Sequence, residues 1–121
     1  MELHALISAL RKSWNKDTCH LSISNNWSKD NRAYGQCVVT ALIVQDYFGG
    51  EILHCEHTHH HWNKISSGEE IDLTKEQFSL GTKICIDDKP SREYLLNNPG
   101  AIKSKTMERY LLLKMRVDAN F

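Results

Sequence analysis

Leu3, Leu6, Ile7, Leu10 and Trp14 recur at three- and four-residue intervals, with Glu2, Arg11 and Lys12 off their stripe. This period predicts an amphipathic packing helix over residues 2–14. The pattern then lapses. Residues 15–35 are rich in Asn, Ser, Asp and Lys, with Trp27 and Tyr34 as isolated aromatics. They read as one long loop, either covering a site or forming a flexible insertion. CVVTALIVQDYF at 37–48 is apolar nearly all round, which predicts a helix buried on most sides and ended by Gly49-Gly50. Its β-branched residues also suit a strand, and length decides for helix.

Residues 51–65 read as extended, 66–69 as a turn and 70–74 as a returning strand, together a hairpin. Residues 82–87 (TKICID) read as a third strand. Ser91 is placed to cap a short helix, and Ser104 precedes a last helix carrying Met107, Tyr110, Leu111, Leu113 and Val117. The predicted fold class is α+β, helices packed on a small antiparallel sheet, in a single domain over 1–121.

Composition removes some functions. Fifteen basic and fifteen acidic residues give no net charge, so nothing global draws the chain to nucleic acid or an anionic membrane. Neither partner is expected, and oligomeric state is left open. The N-terminus has no basic segment followed by an apolar run, and no stretch reaches membrane-span length. Cys19, Cys37, Cys55 and Cys85 form no CxxC pair, and without an export signal they are expected to be thiols in a cytoplasmic protein. No cofactor is expected.

One cysteine has company. Cys37 opens the apolar helix, where unpaired N–H groups and the helix dipole favour a thiolate. A thiolate nucleophile also needs a base, and the base needs a group that fixes its tautomer. His61, in HTHHHWN, and Asp72, in EEIDLT, can fill those roles. A four-residue turn at 66–69 sets Asp72 opposite Asn63 and diagonal to His61. A two-residue turn sets it opposite His61 itself. Both registers put Asp72 and His61 on one face, whereas a one-residue slip separates them. Gln36, Asn26 and Asn31 are candidate donors to an oxyanion, and Tyr34 is a candidate pocket wall. Asp72 has a competing use as a helix cap, although Thr74 is better placed for that.

The ordered series GQC, TAL, QDYFGGEI, HHWN, IDLT, QF and ERYLLLK, from about Asn31 to Val117, resembles the YunG-like family of small bacterial proteins. That family looks similar in arrangement to papain-like and transglutaminase-like proteins, in which a helix-opening cysteine meets a sheet bearing His and then Asp. The resemblance implies Cys37 as nucleophile, His61 as base and Asp72 as orienting group. The activity expected is a thiol-dependent hydrolase or transferase of an amide, ester or thioester, on an acyl or peptide-like substrate left unidentified.

Two other classes stay open. His57 and His59 on a regular strand are close enough to share a transition-metal ion, giving a metal-binding protein. The same fold without chemistry would be an interaction module, whose Cys37 would be inert.

Overall fold

The computed structural model describes residues 2–121. Five helices and three strands follow in the order α1 (Leu3–Ser13), α2 (Cys37–Phe48), β1 (Glu51–Cys55), β2 (His60–Lys64), β3 (Glu70–Ile71), α3 (Arg92–Asn97), α4 (Pro99–Lys103) and α5 (Thr106–Ala119). The strands form one antiparallel sheet in sequence order. The class is therefore α+β with a small antiparallel sheet.

The hydrophobic pattern explains the layers. Val39–Val44 of α2 are buried without a break, so α2 is the central element. Leu6, Leu10 and Trp14 from the stripe of the α1 segment, Leu113 and Val117 from α5, and Ile52 from β1 enclose it. Two buried polar contacts fix its position. Trp14 Nε1 donates to Thr40 Oγ1 at 2.9 Å, and Asn63 Nδ2 donates to the Ala41 carbonyl at 2.9 Å. The second ties β2 to α2 one turn beyond Cys37. The opposite face of the sheet carries a smaller cluster of Leu53, Cys55 and Trp62, covered by Ile84.

The extended segment predicted over 51–65 is two strands. Glu56–His59 turn between them, His59 holding a left-handed φ of 51°, and Cys55 pairs with His60. His57 and His59 consequently lie in an exposed turn and not on the regular strand that would have let them share a metal. Among the described residues no three His, Cys, Asp or Glu side chains gather as a metal-binding group.

The second hairpin departs from both predicted registers. Asn63 pairs with Ile71 and Lys64 with Glu70, the one-residue slip. Its cause is the turn. Ile65 N donates to the Glu69 carbonyl at 2.9 Å, leaving a loop of Ser66, Ser67 and Gly68, with Gly68 at φ +91°. A glycine in the left-handed region is what a three-residue hairpin loop requires.

Elsewhere, residues 82–87 are not a strand, and they lie along β1 through Cys85 N to Cys55 Sγ, Asp87 N to the His54 carbonyl and an isolated bridge between His54 and Asp88. The long loop contains two 3-10 turns, Lys16–Thr18 and Leu21–Asn26. Ser91 caps α3 as expected, accepting from Tyr94 N. Ser104 precedes α5 as expected, and the helix starts after Lys105 in left-handed conformation. Among the described residues no helix is long and apolar enough to cross a membrane.

Candidate active site

Helix α2 begins at Cys37, and its first intrahelical bond runs from Thr40 N to the Gln36 carbonyl at 3.0 Å. The N–H groups of the first turn therefore lack helical acceptors, and Cys37 sits at the positive end of the helix. The buried core of α2 presses this end against the start of β2. Cys37 Sγ, half-buried, lies 3.9 Å from His61 Nδ1 and 3.8 Å from the His59 carbonyl.

Asp72 is not with His61. The slipped register turns it toward His60, whose Nε2 lies 2.7 Å from Asp72 Oδ2. An ionised carboxylate only accepts, so Nε2 carries the proton and Nδ1 is the ring atom left over. Asp72 Oδ1 accepts from Thr74 N at 3.3 Å, so this carboxylate both closes the turn after β3 and holds an imidazole. Thr74 contributes no side-chain cap. His60 has no exposed surface, stacks on Trp62 at 5.4 Å and meets the edge of Phe78 at 4.7 Å. Its Nδ1 is buried without a partner in hydrogen-bonding geometry among the described residues.

The electrostatics link three of these groups. Burial alone would raise the Cys37 thiol, but the nearby His60 and His61 imidazoles and their charge outweigh it and lower the pKa to about 6, although only His61 meets the sulfur in hydrogen-bonding geometry. Burial would likewise depress His60, and Asp72, with help from the Cys37 sulfur, lifts it to about 9. Between those values the pair rests as thiolate and imidazolium. His61 has a different neighbour: it stacks on His54 at 4.5 Å, and His54 Nδ1 lies 2.7 Å from Asp88 Oδ1.

The remaining predicted residues fall in varied places. Gln36 is fully buried, but its Nε2 donates to the Asn15 carbonyl at 2.9 Å and is not free for an oxyanion. Asn26 is exposed at the end of a 3-10 turn, and Asn31 closes a small bridge with Ser28, so neither side chain is held at the sulfur. Tyr34 is half-buried and ends the turn that begins at Asn31.

Gln77 escaped the sequence reading. Its Oε1 accepts from Gly35 N at 3.2 Å, two residues before Cys37, while its Nε2 is buried and unpartnered among the described residues. Phe78 beside it flanks His60. The only sequence signal was the short QF pair after the aspartate.

The other thiols have different settings. All four cysteines are free. Cys19 is buried, and desolvation pushes its pKa up to about 11, whereas Cys85 is exposed.

A helix-opening thiol against a carboxylate-held imidazole is the site that comparison with known proteins has to explain. The chain matches the YunG protein family over residues 2–121 and belongs to that family. It is 38% identical over 71 residues to a Bacillus subtilis (strain 168) protein named "Uncharacterized protein YunG". That alignment takes in 57% of this chain and 56% of the relative, so the chain spans a little over half the relative's length. No solved structure matches.

Proposed function

We propose that this protein is a thiol-dependent acyl hydrolase or acyltransferase of papain-like arrangement, with Cys37 as nucleophile, His60 as acid and base, and Asp72 as the group that orients His60. The observation that carries the reading is the buried His60, held through Nε2 by Asp72 at 2.7 Å, beside a thiol lowered to about 6 at the start of a helix. A structural cysteine needs none of this, and core thiols are ordinarily raised by burial, as Cys19 is.

The resting thiolate attacks the carbonyl carbon of an amide, ester or thioester. A carbon–sulfur bond forms, and the carbonyl electrons move to oxygen. Free N–H groups of the first turn of α2 are placed to meet that oxyanion. As the oxyanion collapses, the leaving group departs with the proton of the His60 imidazolium, leaving an acyl-thioester on Cys37. Neutral His60 then deprotonates water, or an amine, alcohol or thiol, which attacks the thioester. The expelled thiolate is again paired with imidazolium. Hydrolysis and transfer differ only in that second acceptor.

The test uses activated acyl donors. Brief exposure to p-nitrophenyl acetate and to an acetyl thioester, quenched in acid, should leave an acetyl group on Cys37 by peptide mass spectrometry well before Cys85 is modified. Cys37→Ser should lose that adduct under the same quench. Acylation of Cys37 no faster than that of exposed Cys85 overturns the reading and leaves a fold without this chemistry.

A further inference from the structure

Next to Val38 and His61, the neighbours of the thiol, lies a cavity of about 710 Å³ whose lining also includes Lys103, Thr106 and Arg109. Arg109 is unusual for a buried cation. It is only 4% exposed, yet its three hydrogen bonds all go to neutral acceptors: Nε to the Ser104 carbonyl at 2.9 Å, Nη1 to the Thr18 carbonyl at 3.2 Å and Nη2 to Thr106 Oγ1 at 3.3 Å. No carboxylate lies within ion-pair distance of it among the described residues, in contrast to Arg11, Arg92 and Arg116. The acids on the cavity wall, Glu56 and Asp88, both contact His54, and neither is paired with Arg109.

A guanidinium cannot shed its charge, and although Cys37 and Glu108 act on it through space, no anion contacts it, so its burial is costly unless a bound anion supplies that contact. Arg109 lines the cavity, and a guanidinium has the forked donor geometry that recognises carboxylate and phosphate. Resting on the acyl-transfer reading above, we propose that the cavity is the substrate pocket and that Arg109 binds an anionic group of the acyl substrate, a carboxylate or phosphate, lodged away from the bond that Cys37 attacks. Lys103, also in the lining, adds long-range attraction. The bonds to Thr18 and Ser104 hold the fork in place, so it needs little reordering on binding.

The experiment compares two reagents of one shape and different charge. Wild-type protein is labelled at Cys37 with 3-maleimidopropanoate and with 3-maleimidopropanamide, and the rate ratio is normalised to that of denatured protein. The expected ratio favours the anion by roughly tenfold, the scale of one charge-assisted hydrogen bond. Arg109→Gln, shown to melt cooperatively, should bring the normalised ratio close to one, and Arg109→Lys should keep part of it. A wild-type ratio near one overturns the proposal, as does a preference that survives Arg109→Gln.

Should Arg109→Gln fail to fold, protection of the wild-type thiol decides. Inorganic phosphate or acetate should slow labelling by the amide, relative to chloride at equal ionic strength. Protection by acetate alone assigns a carboxylate substrate, and protection by phosphate alone a phosphorylated one. Absence of protection by either overturns the proposal. If Cys37 labels no faster than Cys85 with either reagent, the thiol reading fails and takes this inference with it. That result is distinct from a fast thiol indifferent to charge.

Discussion

Asp72 Oδ2 lies 2.7 Å from His60 Nε2, while His61, the next residue, meets Cys37 Sγ with its own Nδ1 at 3.9 Å. Adjacent strand residues point to opposite faces, so the two imidazoles sit in different surroundings. One is dry and tied to a carboxylate, the other stacked on His54 beside the open cavity.

That difference separates the two in a mutant comparison. His60→Ala removes the imidazole held by Asp72 and should return the Cys37 thiol most of the way toward the ordinary value of about 8.5. His61→Ala should raise it by about one unit, the scale of one neighbouring charge. The midpoint of thiolate absorbance near 240 nm measures both. A larger effect from His61→Ala would transfer the role of base to His61.

Asp72→Asn tests the orienting group. The carboxamide keeps one acceptor oxygen, enough for Thr74 N or His60 Nε2 but not both, so the fold should persist with at most a modest loss, and it cannot stabilise an imidazolium. Iodoacetamide labelling of Cys37 near pH 7 should slow by about twofold for a thiol midpoint raised by about one unit and by about tenfold for a rise of about two. An unchanged rate in the folded variant would confine Asp72 to closing the turn before Thr74.

How much of this site was legible follows from the same residues. The bounds of α2 could be read from CVVTALIVQDYF because an unbroken apolar run needs burial on every side, and the double glycine after it stops a helix. The partnership of Asp72 could not be read without the loop length. Both considered turns, of two and four residues, put Asp72 with His61, and the actual three-residue loop reverses the parity of every pair in β3. Gly68 was the available signal, since only a loop that places residue 68 at positive φ makes a glycine there necessary. Four histidines in five positions also offered a candidate on either face, so either register found an imidazole. Arg109 was not legible at all. Its burial depends on α5 packing against the 3-10 turn that ends at Thr18, a contact between residues 91 positions apart.

Among the four thiols, labelling order should reflect reactivity more than exposure. Cys85 is exposed and Cys37 only half-buried, so accessibility alone predicts that Cys85 reacts first. A thiolate population set by a pKa of about 6 predicts the reverse at pH 7, with Cys19, held at about 11 and buried, last. Peptide mass spectrometry after brief iodoacetamide exposure gives the order, and Cys85 ahead of Cys37 at pH 7 would contradict a stabilised thiolate.

The seating of β1 against the later hairpin depends on Gly50. A Cβ there would lie 2.1 Å from the Lys64 carbonyl oxygen and 2.7 Å from Ile65 backbone atoms, at φ +84°. Gly81 has the same φ with nothing within 4 Å. Gly81→Ala therefore carries only backbone strain, about 1 kcal/mol, whereas Gly50→Ala must also displace β2 and should cost several kcal/mol. Urea unfolding of the two variants checks this. Equal losses would show that the β1–β2 junction yields freely.

Stability against pH gives the last prediction. The Cys37 pKa is depressed, from 9.0 to about 6, so its stabilising contribution is present above the unfolded value and is lost as pH falls through about 6. The His60 pKa is raised, from 6.5 to about 9, so its contribution is present below the unfolded value and is lost as pH rises through about 9. The Cys37–His60 part of both shifts is one interaction seen from its two partners, the rest of the His60 rise coming from Asp72, and that part survives only where both folded-state charges coexist. The difference in unfolding free energy between wild type and Cys37→Ala should therefore form a plateau from about pH 6 to about pH 9 and shrink on both sides. Urea titrations in matched ionic strength measure it. A difference constant from about pH 5 to about pH 10 would mean that Cys37 contributes packing alone and that no thiolate–imidazolium pair forms in the folded protein.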